Sequence, residues 1–275
     1  MRFILFHLLK TFQRKISPFR RRSSFIITHG HGACARSFSA LYFPRKIIYS
    51  FRSDHQMCNE ETMGLLAGIA ARRSCRAFEN TPPGPELLAS VLKYATFSPS
   101  AKNAQPWEAY VVAGERLDAL RAKMDEAFRQ GRGVPMHAGR EMPAWQARAR
   151  ELSGALAPVL ERQGWEPKSF IGRCLRFFDA PAAAIVCMDG EPSPLHLLDI
   201  GMFTQTLCLS AAGHGLASCI IAYTLLVEPA IREFLRLPAG RRVMITVALG
   251  FPAKDQPMAQ FRSGRAGAGE NVHFV

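Results

Sequence analysis

Ser98-Pro99-Ser100-Ala101-Lys102-Asn103-Ala104-Gln105-Pro106-Trp107 is a polar stretch with proline near each end, so its backbone is restricted without being helical. Its Ser, Asn and Gln side chains can read the edge of a planar heterocycle. They can equally satisfy local backbone in a plain helix-to-strand connection. Upstream stands Arg72-Arg73-Ser74-Cys75-Arg76. Three guanidinium groups and a hydroxyl suit a phosphate, because each fork donates two parallel charge-assisted hydrogen bonds. The alternative is a solvated basic helix end, favoured by the C-terminal dipole. Near the C-terminus, Phe261-Arg262-Ser263-Gly264-Arg265 adds two guanidinium groups beside a hydroxyl. By itself it reads as a basic, frayed tail.

Outward from these stretches, helices interleave with short strands. Helical spacing covers 60–72, where Leu65, Leu66, Ile69 and Ala70 share a face, and 85–95, with Pro85 in its first turn. A strand is expected at 107–113 and a helix at 115–128. A Gly- and Pro-rich mobile connection follows at 130–143, then a helix at 144–163 that Pro158 must kink or end. A buried strand is expected at 182–188 and an apolar helix at 197–212, stopped by Gly213 or Gly215. A strand at 216–222, a helix at 228–237 and a strand at 243–249 complete the pattern. The last 23 residues of the 275 lack regular periodicity and read as a segment that wraps a neighbour.

Composition bounds the class. Apolar residues make up 48% and charged residues 21% of the chain, enough for a sizeable core and against bulk disorder. No run of eighteen apolar residues occurs, so no membrane span is expected. The net charge of +13 is uneven: eleven of the 35 basic residues and one of the 22 acids lie in residues 1–57. The basicity belongs to that leader, so no nucleic-acid partner is read for the folded body at 58–275. The leader has the composition of a transit peptide, a weak signal-peptide hint at its start, or the look of an over-extended start with initiation at Met57 or Met63. It is read as disordered and outside the fold. Seven cysteines form no Cys-x-x-C pair and no metal-ligand spacing with His, so no metal is expected. They read as reduced thiols of a cytoplasmic protein, or of an organelle if the leader is a transit peptide. No glycine-rich dinucleotide fingerprint follows a strand, and no nucleophile elbow or zinc-protease helix is present. His196 and His214 read as capping or surface residues. Asp199 reads as a cap-like anion near a helix start.

The three stretches together, in this order, resemble the nitroreductase family of FMN-dependent oxidoreductases. Ala180-Pro181, the helix from Asp199-Ile200-Gly201 to Gly215-Leu216, and Gly250-Phe251-Pro252 extend the resemblance over roughly residues 63–275, nearest the nitrobenzoate-reductase branch. The resemblance implies an α+β fold: a central, mostly antiparallel sheet flanked by helices, with a C-terminal extension swapped across a homodimer. It implies bound FMN, NAD(P)H as co-substrate and a small-molecule electron acceptor (nitroaromatics, quinones or similar) reduced by ping-pong turnover. No protein residue is then needed as nucleophile or strong base. Arg72, Arg73, Ser74 and Arg76 would hold the FMN phosphate and the pyrimidine side of the ring. Ser100, Ala101 and Asn103 would line the flavin from the partner chain. Residues 218–222, with Ile220, Ile221 and Ala222, would pass their backbone near its reactive edge. Arg265, or Arg262 in its stead, would close on the phosphate. Trp145 and Trp165 fall in the variable lid at 130–170, where plain packing competes with substrate stacking, and Tyr223 faces the substrate. Dehalogenation or flavin fragmentation on the same fold, flavin storage without turnover, and nucleic-acid binding through the leader are the rival readings.

Overall fold

The computed structural model describes residues 64–135 and 143–273. The leader at 1–57, the start of the 60–72 helix and half of the 130–143 connection lie outside the described residues. Four strands, β1 (Glu108–Ala113), β2 (Ala182–Asp189), β3 (Ala217–Ile221) and β4 (Arg241–Gly250), form one antiparallel sheet in the order β1-β2-β4-β3. The helices are α1 (Leu65–Ala71), α2 (Pro85–Ala95), α3 (Gly114–Arg129), α4 (Pro143–Arg162), α5 (Phe170–Leu175), α6 (Pro194–Gly213), α7 (Glu228–Leu235), α8 (Pro257–Gln260) and α9 (Ala268–Asn271). This is the α+β architecture expected. The long elements fall within a few residues of their expected bounds. Pro158 does not end α4, which runs four residues beyond it.

β2 sits centrally and explains the layering. Its sequence, Ala-Ala-Ala-Ile-Val-Cys-Met-Asp, is buried up to the last residue. Ala183, Ile185 and Cys187 face a cluster made by α3, α5 and α7. Ala182, Ala184, Val186 and Met188 face a second cluster made by α2 and α6. Alternation sends successive side chains to opposite faces, and small alanines allow both helical layers to close on the strand. In β4 the register slips: Val186 pairs with Ile245 but Cys187 pairs with Val243, leaving Met244 as an extra residue. This bulge reverses the parity, so Val243 and Ala248 line the same face.

Two motif residues meet in space. A Cβ on Gly250 would lie 2.6 Å from Cδ of Pro181 and 3.1 Å from the Phe78 ring. Glycine is required there because the Ala180-Pro181 corner packs directly on the end of β4. α6 ends in a Schellman motif. Gly215 (φ 76°) follows the C-cap His214, Leu216 N donates to Ala211 O at 2.8 Å, and Gly215 N donates to Ala212 O. Its start is a capping box, with Ser193 Oγ accepting from His196 N and His196 Nδ1 accepting from Ser193 N. His196 is therefore a capping residue. His214 bonds Ser90 and the Ser210 carbonyl, both at 2.8 Å.

Candidate cofactor site

The arginine-rich stretch leaves α1 extended. Ser74 forms a parallel bridge with Ser218 of β3, and Cys75 N donates to Ser218 O at 3.0 Å. The stretch thus adds a short strand to the open edge of the sheet, which fixes its backbone beside 218–222. Arg76 N donates to Met258 O at 3.3 Å, and Arg73 Nε donates to Ala259 O at 2.6 Å. Both α8 carbonyls brace the segment from the other side. Arg73 therefore has one donor committed to protein. Arg76 Nη1 reaches Ser74 O at 3.2 Å, and its guanidinium lies 5.9 Å from the Phe178 ring.

The tail divides its two arginines. Arg262 Nη1 donates to Ala70 O at 2.9 Å, beside the last residue of α1 and two residues from Arg72. Among the described residues, Arg265 bonds only Ser263 and Gly264. The structure brings Arg262, not Arg265, to the arginine stretch. None of Arg72, Arg73, Arg76, Arg262 and Arg265 has a carboxylate within ion-pair distance among the described residues. Arg72, Arg73, Arg76 and Arg262, with Ser74 in the same stretch, form a donor set without acids that suits an anion.

β3 presents its residues unequally. Ile220 is partly exposed while Ile221 is buried in the core cluster. The Ile221 carbonyl accepts from Thr224 Oγ1 and Thr246 Oγ1, both at 3.1 Å. Ile221 can therefore offer a ligand backbone only. Ala222 and Tyr223 are exposed where the strand ends.

The polar loop is mostly exposed, with Ser100 and Ala101 half-buried and Asn103 fully outward. It holds a tight conformation: Lys102, Asn103 and Gln105 have φ of 54°, 56° and 46°. Left-handed backbone costs a non-glycine residue about 1–2 kcal/mol, and such strain gathers at functional sites. Ser100 Oγ accepts from Gln105 N at 2.9 Å, and Gln105 Nε2 donates to Asn103 Oδ1 at 3.1 Å. Ala101 N donates to Asp199 Oδ1 at 3.0 Å. This corrects the cap-like reading of Asp199. α6 begins five residues earlier, at Pro194, so Asp199 stands in the second turn, 1% exposed. Its Oδ2 is buried with no donor among the described residues. An acid within an apolar helix was the available signal, and a helix drawn to start at 197 concealed it.

A second left-handed turn escaped the sequence reading altogether. Phe177, Phe178 and Asp179 have φ of 56°, 54° and 56°. Arg121, 7% exposed, donates from Nε to Arg176 O at 2.9 Å and from Nη2 to Ala180 O. It thereby clamps both ends of the turn. Phe178 lies against Trp165, whose ring centroid is 6.2 Å away at an interplanar angle of 5°. The Arg173 guanidinium lies 4.0 Å from the centroid of the same Trp165 ring. Trp165 is a packing residue here, while Trp145 is exposed.

Residues 69–251 match the family model described as the nitroreductase family. The chain is 30% identical over 225 residues to a 4-nitrobenzoate reductase of Nocardioides sp. (strain LMS-CY), covering 75% of this chain and 88% of the relative. It is 29% identical over 223 residues to a nitrobenzene nitroreductase of Ectopseudomonas oleovorans, covering 75% and 95%. Among solved structures, it resembles the FMN-dependent nitroreductase NfnB from Mycobacterium smegmatis in complex with NADPH. That match has a TM-score of 0.71 at 26% identity, covering 76% of this chain and 96% of that one.

Proposed function

The chain belongs to the nitroreductase family, and from that premise we propose that it is an FMN-dependent oxidoreductase that uses NAD(P)H to reduce nitroaromatics, quinones or similar small acceptors. The observation that carries this reading is the acid-free arginine set around Ser74, held on the edge of the sheet by the Ser74–Ser218 bridge. Those donors fit an FMN phosphate. Solved structures of NADPH-dependent relatives support the same cofactor and co-substrate.

Arg72, Ser74 and Arg76 hold the phosphate and the pyrimidine side of the ring. Arg73 contributes the donors that its bond to Ala259 leaves free. Arg262 closes on the phosphate in preference to Arg265. Ser100, Ala101 and Asn103 line the ring, and the backbone of 218–222, with Ile220 and Ala222 outward, borders its reactive edge. When FMN is bound, the chemistry available is two-electron transfer, from NAD(P)H in one half-reaction and to the acceptor in the other, in ping-pong order. The protein's own part is binding, orientation and charge: cations near the pyrimidine stabilise the negative charge that reduction brings.

A homodimer completes the reading. α6 is apolar around much of its circumference, and such a helix requires cover on all sides. Leu195 and Leu198 are 59% exposed on its outer face. α1, which packs on α6, exposes Leu65, Leu66 and Ile69. This apolar surface is the interface with a second copy, and the largely exposed tail beyond Phe261 is the segment assigned to the partner subunit. We take 58–275 as the working domain. A reducing compartment such as the cytoplasm suits the five free, buried cysteines of the described residues. Among those residues, no helix is long and apolar enough to cross a membrane.

The test is a visible spectrum of the purified protein with NADPH added without oxygen. A flavin band that bleaches, and returns when a nitroaromatic or quinone is added, is the expected result; a colourless protein that refuses added FMN overturns the reading. Arg72→Ala weakens FMN binding about ten- to hundredfold, the worth of one charge-assisted hydrogen bond, read by flavin fluorescence titration. Unchanged affinity removes the phosphate assignment.

A further inference from the structure

We infer that Asp199 is a positioning residue: its carboxyl group tethers the 100–105 loop to α6 and so presents the loop to the flavin. The presentation to flavin rests on the function proposed above; the tether rests on geometry alone.

The geometry is specific. Among the described residues, Ala101 N to Asp199 Oδ1, at 3.0 Å, is the hydrogen bond that joins residues 100–105 to another element. The others close within the loop: Asn103 N to Ser100 O, Ala104 N to Ala101 O, Gln105 N to Ser100 Oγ, and Gln105 Nε2 to the backbone and side-chain oxygens of Asn103. The loop holds three left-handed non-glycine residues, a conformation that persists only when its surroundings over-determine it. Asp199 is itself anchored. Its neighbours Ile200 and Phe203 are buried in the α2–α6 cluster, and Trp107, just past the loop, stacks on Phe203 with centroids 5.0 Å apart. A buried acid whose second oxygen finds no donor among the described residues costs the core rather than stabilising it. Among the described residues, its side-chain bond goes outward, to the loop.

Lys102 is exposed within the tethered segment, so trypsin cleavage after it reports on the tether without reference to any cofactor. Asp199→Ala removes the acceptor. Ala101→Pro removes the donor from an exposed loop without touching α6, which guards against a helix variant that fails to fold. Asp199→Asn keeps an acceptor oxygen, and its new amide displaces no bond that Oδ2 makes among the described residues.

With the melting temperature of each variant measured alongside, Asp199→Ala and Ala101→Pro should be cleaved at Lys102 about tenfold faster than wild type, the worth of one hydrogen bond of moderate strength. FMN should bind both about tenfold more weakly, with an altered visible circular dichroism of the bound flavin, while Asp199→Asn behaves as wild type in all three readouts. Wild-type cleavage rates in folded Asp199→Ala and Ala101→Pro overturn the tether. Cleavage in Asp199→Asn as fast as in Asp199→Ala overturns the acceptor role of Oδ1. If both tether variants are cut faster yet bind FMN like wild type, presentation to the flavin is overturned. If wild type takes up no FMN, the functional reading falls, and the cleavage contrast alone upholds or overturns the tether.

Discussion

Two left-handed turns share a backbone and differ in everything around it. Lys102 and Phe178 both have φ of 54°. Phe178 is buried between Trp165 and Arg76, and a buried Arg121 clamps the carbonyls on either side of its turn. Lys102 lies exposed in a loop that, among the described residues, is hydrogen-bonded to the fold through a buried Asp199. In the first turn strain is offset by packing, and the result is a rigid corner leading into β2. In the second the strain has little packing to offset it, and the segment left standing is polar and accessible. The same local cost serves a core in one place and a candidate site in the other.

The largest effect is expected at the buried clamp. Arg121→Met keeps the aliphatic stem but leaves the Arg176 and Ala180 carbonyls without their donor. At about 1–3 kcal/mol for each buried group left unmet, stability falls by about 3 kcal/mol in urea denaturation. A loss under 1 kcal/mol would mean that the turn holds itself.

Glycine substitution sharpens the contrast, because it relieves the same backbone strain at both turns. Phe178→Gly still destabilises by about 3 kcal/mol, since deleting a buried aromatic costs more than the strain returned. Lys102→Gly stabilises by about 0.5 kcal/mol, the relief slightly exceeding the entropy that glycine adds to the unfolded chain. Opposite signs in paired denaturation curves bear out the comparison; equal signs break it.

A pH dependence confined to the core side separates the two regions further. Burial pushes the Cys174 thiol, on the helix leading to the buried turn, and the Cys187 thiol up to about 12. In the unfolded chain each loses its proton near pH 8.5. The unfolded state therefore binds fewer protons than the native state above that pH. The stabilisation is complete below about pH 8.5 and is lost as pH rises toward 12. Cys187→Ala should show a shallower alkaline fall in denaturation midpoint than wild type between pH 7.5 and 10. No cysteine lies in the 98–107 loop, so substitutions there leave that slope unchanged.

Local pattern was sufficient for most elements. β2 was legible because only a strand covered on both faces is so continuously apolar. α2 was legible from its proline start and spacing, and the end of α6 from Gly215, which the Schellman geometry demands. The arginine stretch and the polar loop were each open to a plain structural reading, and only their order along the chain carried the resemblance to the family. The turn at 177–179 was not, because Phe-Phe-Asp carries no left-handed preference. Its conformation is imposed by Arg121, more than fifty residues away in sequence.

The sequence by itself determined the order of helices and strands, the family resemblance that implied the α+β fold, and the type of donors in the candidate site, because periodicity and residue chemistry are local properties. Only the tertiary structure decided which donors meet. It brought Arg262 rather than Arg265 to α1, turned Ile221 into the core, and made Asp199 a tether instead of a cap. Each of those outcomes depends on which side chain a folded neighbour can reach, and hydrogen bonds between distant segments leave no spacing in the chain to read.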